Sequence, residues 1–162
     1  MKVQKRRRRE NKTDYLKRLK LLKGEIPRVV FRKTNKYIIA QYFLSEEAQD
    51  KAIIGIDSRE LIEYGWPKEG KGSLKSISAS YLTGYLIGKK IVNKKLKNPI
   101  LDNGMIRIIH KNKVYAFIKG MIDAGIKINC NKEFFPEESR IKGENLKLKI
   151  PFNEIKSKIE KL

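Results

Sequence analysis

Cysteine and histidine are almost missing from this 162-residue chain, with Cys130 and His110 each standing alone. A single thiol excludes an internal disulfide and any paired-cysteine metal knuckle. A single imidazole leaves a zinc site or a nucleophile–histidine–carboxylate triad poorly supplied, so no cofactor and no metal are expected. No apolar run approaches the roughly 20 residues that cross a bilayer, and the charged start has no apolar stretch behind it, as a secretory signal would. An intracellular protein with no membrane span is the expectation. Acids are scarce as well: 18 Asp and Glu face 38 Lys and Arg, a formal charge of +20. A compact chain of that charge repels itself unless counterions or a polyanionic partner neutralise it.

The charge is densest at the start. Residues 1–24 hold eleven basic side chains against Glu10 and Asp14, a net +9, and the remaining chain is still +11. Four consecutive arginines, Arg6, Arg7, Arg8 and Arg9, cannot all be paired internally. Such a block is expected to stay solvated and extended until it meets an anion. Behind it, Thr13 is a plausible N-cap with Asp14 in the first turn. Tyr15, Leu16, Leu19 and Leu22 then recur at helical spacing to a stop at Gly24. A basic amphipathic helix of this kind suits docking on a domain, RNA or a membrane surface equally.

At 40% hydrophobic residues the chain supports one domain with a real core plus tails. Arg28 to Lys33 and Tyr37 to Phe43 read as a hairpin about a Thr34-Asn35-Lys36 turn, and Lys51 to Ile56 as a third strand after a polar loop. Asp57-Ser58 caps a short helix ending near Trp66. Ser76 to about Leu96 has the longest helical period, with Gly84 and Gly88 placed for close approach to the sheet. Its tyrosines are read as core. Pro99 to Asp102 reads as a strand, Lys113 to Gly125 as a helix and Ile126 to Ile128 as a last strand. Alternating strands and helices after the hairpin predict parallel pairing by right-handed crossover. Beyond residue 130 the period is lost, and Asn131 to Glu144 reads as an extended docking tail before a final helix capped by Asn153. The expected organisation is an arm at 1–24, an α/β core at 25–129 and an extension at 130–162.

Several strings, taken in order, resemble one family. They are RRRRENKTDYLKRLKLLK (from Arg6), PRVVFRKTNKYIIAQ (from Pro27), DSRELIEYGW (from Asp57), SYLTGYLIGKK (from Ser80), LDNG (from Leu101), KVYAFIKGMIDAG (from Lys113) and FPEESRIKGE (from Phe135). This ordered set is similar to the 5S rRNA-binding large-subunit ribosomal protein, universal L-eighteen, of archaeal type, which is also the core of a longer eukaryotic relative. The chain departs from the family at Cys130, often a histidine there, and at Ser78-Ala79-Ser80, often preceded by prolines. Met105 to His110 is also unlike the usual loop.

The resemblance implies a three-layer α/β fold of the ribonuclease-H-like class, a mixed sheet of antiparallel meander and parallel strands, without enzymatic activity. It implies a structural role in the cytoplasmic ribosome. There the protein would bind 5S rRNA and tie it to the large-subunit rRNA in the central protuberance, beside a neighbouring 5S-binding ribosomal protein. The family's RNA contacts fall here on Arg6 to Arg9, Lys12, Tyr15, Arg18, Arg28, Arg32, Lys33, Asn35, Lys36 and Tyr37. The residues themselves add Ser58 and Arg59 as a second patch, Trp66 as a stacking ring, and Arg140 and Lys142 in the tail. Two alternatives stay open: a generic polyanion-binding protein, and a metal-dependent nuclease using Asp57, Asp102 and Asp123.

Overall fold

A computed structural model describes residues 3–46, 49–146 and 149–162. The chain begins with two helices, α1 (Arg6–Arg9) and α2 (Tyr15–Lys23). The strands β1 (Arg28–Lys33), β2 (Ile38–Glu46) and β3 (Gln49–Asp57) follow. A 3₁₀ turn, Ser58–Ile62, leads to α3 (Ile77–Asn93), β4 (Ile100–Asp102) and α4 (Lys113–Asp123). Two further helices, α5 (Glu138–Lys142) and α6 (Phe152–Glu160), complete the order.

The four strands lie in the order β3-β2-β1-β4. The meander pairs antiparallel, with Phe31 opposite Ala40, and β4 joins β1 in parallel, with Val30 opposite Asp102. The α/β mixed sheet expected from the alternating pattern is therefore present. A strand's side chains alternate between faces, and this alternation sorts β1 into two surfaces. Val29 and Phe31 face an apolar layer, where the Phe31 and Phe117 rings approach to 5.0 Å. Arg28 and Arg32 face the other way, toward α2. The order is α2, sheet, then α3 and α4, so the protein has three layers.

The core is built on the α3–α4 crossing. A Cβ placed on Gly84 would lie 2.2 Å from the Phe117 carbonyl oxygen, and one on Gly120 2.2 Å from that of Tyr81. The two backbones touch, and only hydrogen fits between them. Gly84 and Gly88 thus admit α4 and not the sheet. Tyr81 and Tyr85 are buried as core rings, and the Tyr81 hydroxyl donates to Asp123 at 2.6 Å. Burial and that carboxylate push the Tyr81 phenol far above its ordinary range. Phe152, Ile155 and Ile159 of α6 complete the cluster, while Leu162 stays exposed.

Three further expectations need correction. Ile126 to Ile128 forms no strand. Instead Ile126 N–H donates to Met121 O and Gly125 N–H to Ile122 O, the paired bonds of a Schellman cap. Ile126 is the apolar residue that such a cap buries, so its hydrophobicity is used by the helix end. Residues 131–144 are not extended: a 3₁₀ turn at Lys132–Phe134 and α5 occupy them, and α5 buries Ile141. Asn153 lies inside α6, whose N-cap position is Pro151. The tip of the polar loop after β2, at 47–48, lies outside the described residues.

Candidate nucleic-acid interface

The arm is helical where an extended chain was expected. Arg6–Arg9 close one turn, with Arg9 N–H bonded to Lys5 O and Glu10 N–H to Arg6 O. The two local acids offset the repulsion: Glu10 meets Lys12 at 2.8 Å and Arg6 at 3.9 Å, and Asp14 meets Arg8 at 3.6 Å. Arg7 donates to Thr13, so Asp14 rather than Thr13 caps α2, accepting from the N–H groups of Leu16 and Lys17. Exposed ion pairs of this kind contribute only about 0–1 kcal/mol each. They bias the turn without consuming its charge, and an RNA phosphate can replace the carboxylates.

The helix docks by its polar side. Leu16 and Leu19 are 75% and 51% exposed, whereas Lys17 and Arg18 reach the sheet. Arg18 meets Asp50 at 2.8 Å, and Lys17 donates to the Asn103 side chain. Behind them Arg28 is 1% exposed and meets Asp50 at 2.6 Å and Asp102 at 3.6 Å. Partial burial works against the Asp50 carboxylate. Bonds from Ser45 and Arg18 and the charges of Arg28 and Arg18 nevertheless hold it below the ordinary range. An arginine taken out of water needs this pairing, because a lone buried charge is heavily penalised.

The result is a cleft about 80 Å³ in volume between arm and sheet, lined by Arg7, Lys12, Lys17, Arg18 and Arg32 among others. Its floor is the LDNG turn. Asp102 accepts from Gly104 N–H at 2.8 Å, and Gly104 sits at φ +57°, where a Cβ would fall 2.9 Å from the Arg32 guanidinium. Five cations therefore meet around one turn, drawn from two helices, the linker between them and a strand. Lys17 had not been singled out as a site residue. It falls with Asp14, Arg18 and Leu21 on one helical face, but an apolar stripe is normally taken as the docking side.

The hairpin tip is the second basic surface. Thr34 locks the turn: its hydroxyl accepts from Tyr37 N–H at 2.8 Å, and its own N–H donates to Tyr37 O. Lys33, Asn35 and Lys36 are consequently presented to solvent on a preformed loop. Tyr37 is half-buried, and Arg59 lies 5.0 Å from its ring centre. Asp57 holds Arg59 by its Nε at 2.8 Å. That pairing outweighs partial burial and keeps the Asp57 carboxyl below its ordinary range. Tyr15 is covered by Lys5 at 4.7 Å.

Not every expected residue reaches this surface. Arg28 is buried in its carboxylate pair. Ser58 is fully buried, and its hydroxyl accepts from Ile38 N–H. Trp66 is a core ring at 2% exposure. Arg140 and Lys142 are exposed on α5, and Arg140 borders a groove beside Ile77 rather than the arm cleft. The three aspartates do not converge: Asp57 caps a turn, Asp102 orders another, and Asp123 takes the Tyr81 hydroxyl. No cluster of three or more metal-ligating side chains occurs among the described residues. No described helix is long and apolar enough to cross a membrane.

A family model described as "Ribosomal large subunit proteins 60S L5, and 50S L18" matches residues 1–100, which include the arm, the cleft's helix and the hairpin. The large ribosomal subunit protein uL18 of Korarchaeum cryptofilum (strain OPF8) is 45% identical over 145 residues, 90% of this chain and 72% of the relative. The protein of the same name from Methanosphaera stadtmanae is 43% identical over 145 residues, 90% of this chain and 73% of the relative.

Proposed function

The chain belongs to the family of large-subunit ribosomal proteins that comprises 60S L5 and 50S L18, and on that premise we propose that its arm and first hairpin bind 5S rRNA. As a member it is a structural component of the large ribosomal subunit and not an enzyme. The finer reading is that it fastens 5S rRNA to the large rRNA in the central protuberance of the cytoplasmic particle. A second 5S-binding ribosomal protein lies beside it there.

The observation that carries this reading is the convergence of arm and sheet cations around the LDNG turn, next to a rigid basic hairpin tip. Arginine forks match phosphate oxygens in pairs, and lysines act as point charges. Base edges of A-form RNA are hidden in a deep groove, so recognition rests on backbone shape, 2′-hydroxyls and splayed bases. Arg6 to Arg9, Lys12 and Arg32 would take phosphates in the cleft. Lys33, Asn35, Lys36 and the Arg59-backed face of Tyr37 would read a neighbouring segment. Arg18 and Lys17 do both jobs in this scheme, holding α2 while adding potential to the cleft.

Titration of labelled 5S rRNA in the presence of excess duplex DNA and anionic vesicles tests this. Retained binding at moderate salt is expected. Displacement by either competitor would reduce the protein to an unselective polyanion binder.

A further inference from the structure

On the other side of the hairpin from the arm cleft lies a groove of about 610 Å³ that shares only Lys33 with the proposed RNA surface. Its floor is aliphatic, formed by Ile77, Ile106, Ile109 and Val114 with the edge of Phe31. Its rim carries five cations, Lys33, Arg107, Lys111, Lys113 and Arg140, beside neutral Asn112, with no carboxylate among the lining residues. The loop that walls it carries Met105, Ile108 and Ile109, which are 38%, 56% and 56% exposed. Apolar exposure grouped in this way, and bordered by charge, marks a surface that another molecule covers.

We infer that this groove docks a protein segment in which apolar side chains alternate with Asp or Glu. Two features select that occupant. The floor offers branched aliphatic side chains and no exposed ring; Phe31 is fully buried. The Arg107 and Arg140 guanidinium planes can stack a nucleobase only at the rim, whereas the aliphatic floor receives Leu, Ile or Met side chains. Among the described residues the rim has no ion pair beyond that of Lys111, which reaches Glu137 at 3.6 Å. Lys113 opens α4, where the helix dipole already adds positive potential. Burial, with the nearby Lys33 and Lys75 charges, holds its ammonium below the ordinary lysine range. Carboxylates from a partner would relieve that repulsion.

The probe is a fluorescent synthetic peptide of alternating Leu and Glu, compared with poly-glutamate and with an oligo-uridine of equal charge, all at physiological salt. The Leu–Glu peptide is expected to bind at least tenfold more tightly than poly-glutamate. Ile109→Gln, at an exposed position and without change of charge, should weaken the peptide about tenfold and leave 5S rRNA affinity unaltered. Leu19→Gln on α2 should change neither. Arg107→Glu with Arg140→Glu should abolish peptide binding. Equal binding of peptide and poly-glutamate would overturn the inference. So would a loss of 5S rRNA affinity in Ile109→Gln without loss of peptide binding, which would give the groove to RNA. Because the RNA titration is read separately, failure here leaves the 5S proposal standing, and the converse also holds.

Discussion

The two faces of the sheet are held by opposite means. On one, α3 and α4 meet backbone to backbone through Gly84 and Gly120, and the contact is largely apolar, with the Tyr81–Asp123 hydrogen bond at its side. On the other, α2 is attached through Lys17 to Asn103 and through Arg18 to Asp50, which also pairs buried Arg28, with Leu16 and Leu19 turned outward. The first face is specified by shape and the second by charge. A shape-held face tolerates salt and pH and fails on a change of volume. A charge-held face tolerates volume and fails when its carboxylates are protonated or its cations are drawn elsewhere. The cations that dock the helix lie on the second, so in the proposed function RNA would compete for them.

The largest effect expected from this contrast is on RNA binding and not on folding. Neutralising about 6–10 phosphates implies a fall of roughly 10³–10⁵ in 5S rRNA affinity between 50 and 200 mM salt. The melting temperature should move little over the same range. Filter binding and thermal melts in one salt series give both, and a flat binding curve would remove the phosphate scheme.

Next comes the shape-held face. Gly84→Ala drives a methyl into the Phe117 carbonyl, which backbone cannot avoid by a rotamer change, and the expected loss is about 3 kcal/mol or more. For a chain of this size that is a shift of roughly 6–12 °C in melting temperature. The folded fraction should bind RNA as before. An unchanged melt would mean that the helices are further apart than described.

A smaller loss is expected on the charged face. Asp50→Asn removes one of the two carboxylates facing buried Arg28 and the partner of Arg18. Asp102 remains, so about 2 kcal/mol is expected rather than the roughly 3–5 of a fully stripped buried charge. The pH sign follows from the depressed folded pKa of Asp50. The unfolded carboxyl, near its ordinary value of about 4, takes up its proton first as pH falls. Its stabilisation is therefore present above that value and lost as pH drops through the lower folded pKa. Thermal melts of the two proteins should differ at pH 6 and converge as the pH falls below about 4. A constant gap would show that Asp50 acts other than by its charge.

The least costly change is at the hairpin. Thr34→Ala removes a side-chain lock on the turn, at about 1 kcal/mol. The melt should barely move, while 5S rRNA affinity should fall by several-fold as Lys33, Asn35 and Lys36 lose their preformed arrangement.

The same contrast separates what the residues disclose from what they conceal. Helices α3 and α4 are legible because a 3.6-residue apolar period, the caps Ser76 and Asn112 and the stop at Gly125 agree. The hairpin is legible for the same local reason. Ile126 reads as a strand until its amide is seen to close the α4 cap. The docking of α2 is concealed because its partners, Asp50, Asn103 and Gly104, are far along the chain and polar contacts of this kind have no period. Leu16 and Leu19 therefore mislead, and Arg28 passes for a surface cation when β1 has buried it. The basic surfaces of the arm and hairpin tip are legible from charge density. Ser58 and Trp66 were not separable from packing, since a buried hydroxyl or indole has the same local sequence as an exposed one.

Footprinting of 5S rRNA with the full chain and with residues 1–12 removed tests the two-part grip most directly. Two protected segments are expected with the full chain. The shortened protein should retain the hairpin's segment, lose the arm's, bind more weakly and keep its circular dichroism. Loss of both protections in a folded protein, or loss of neither, would contradict it.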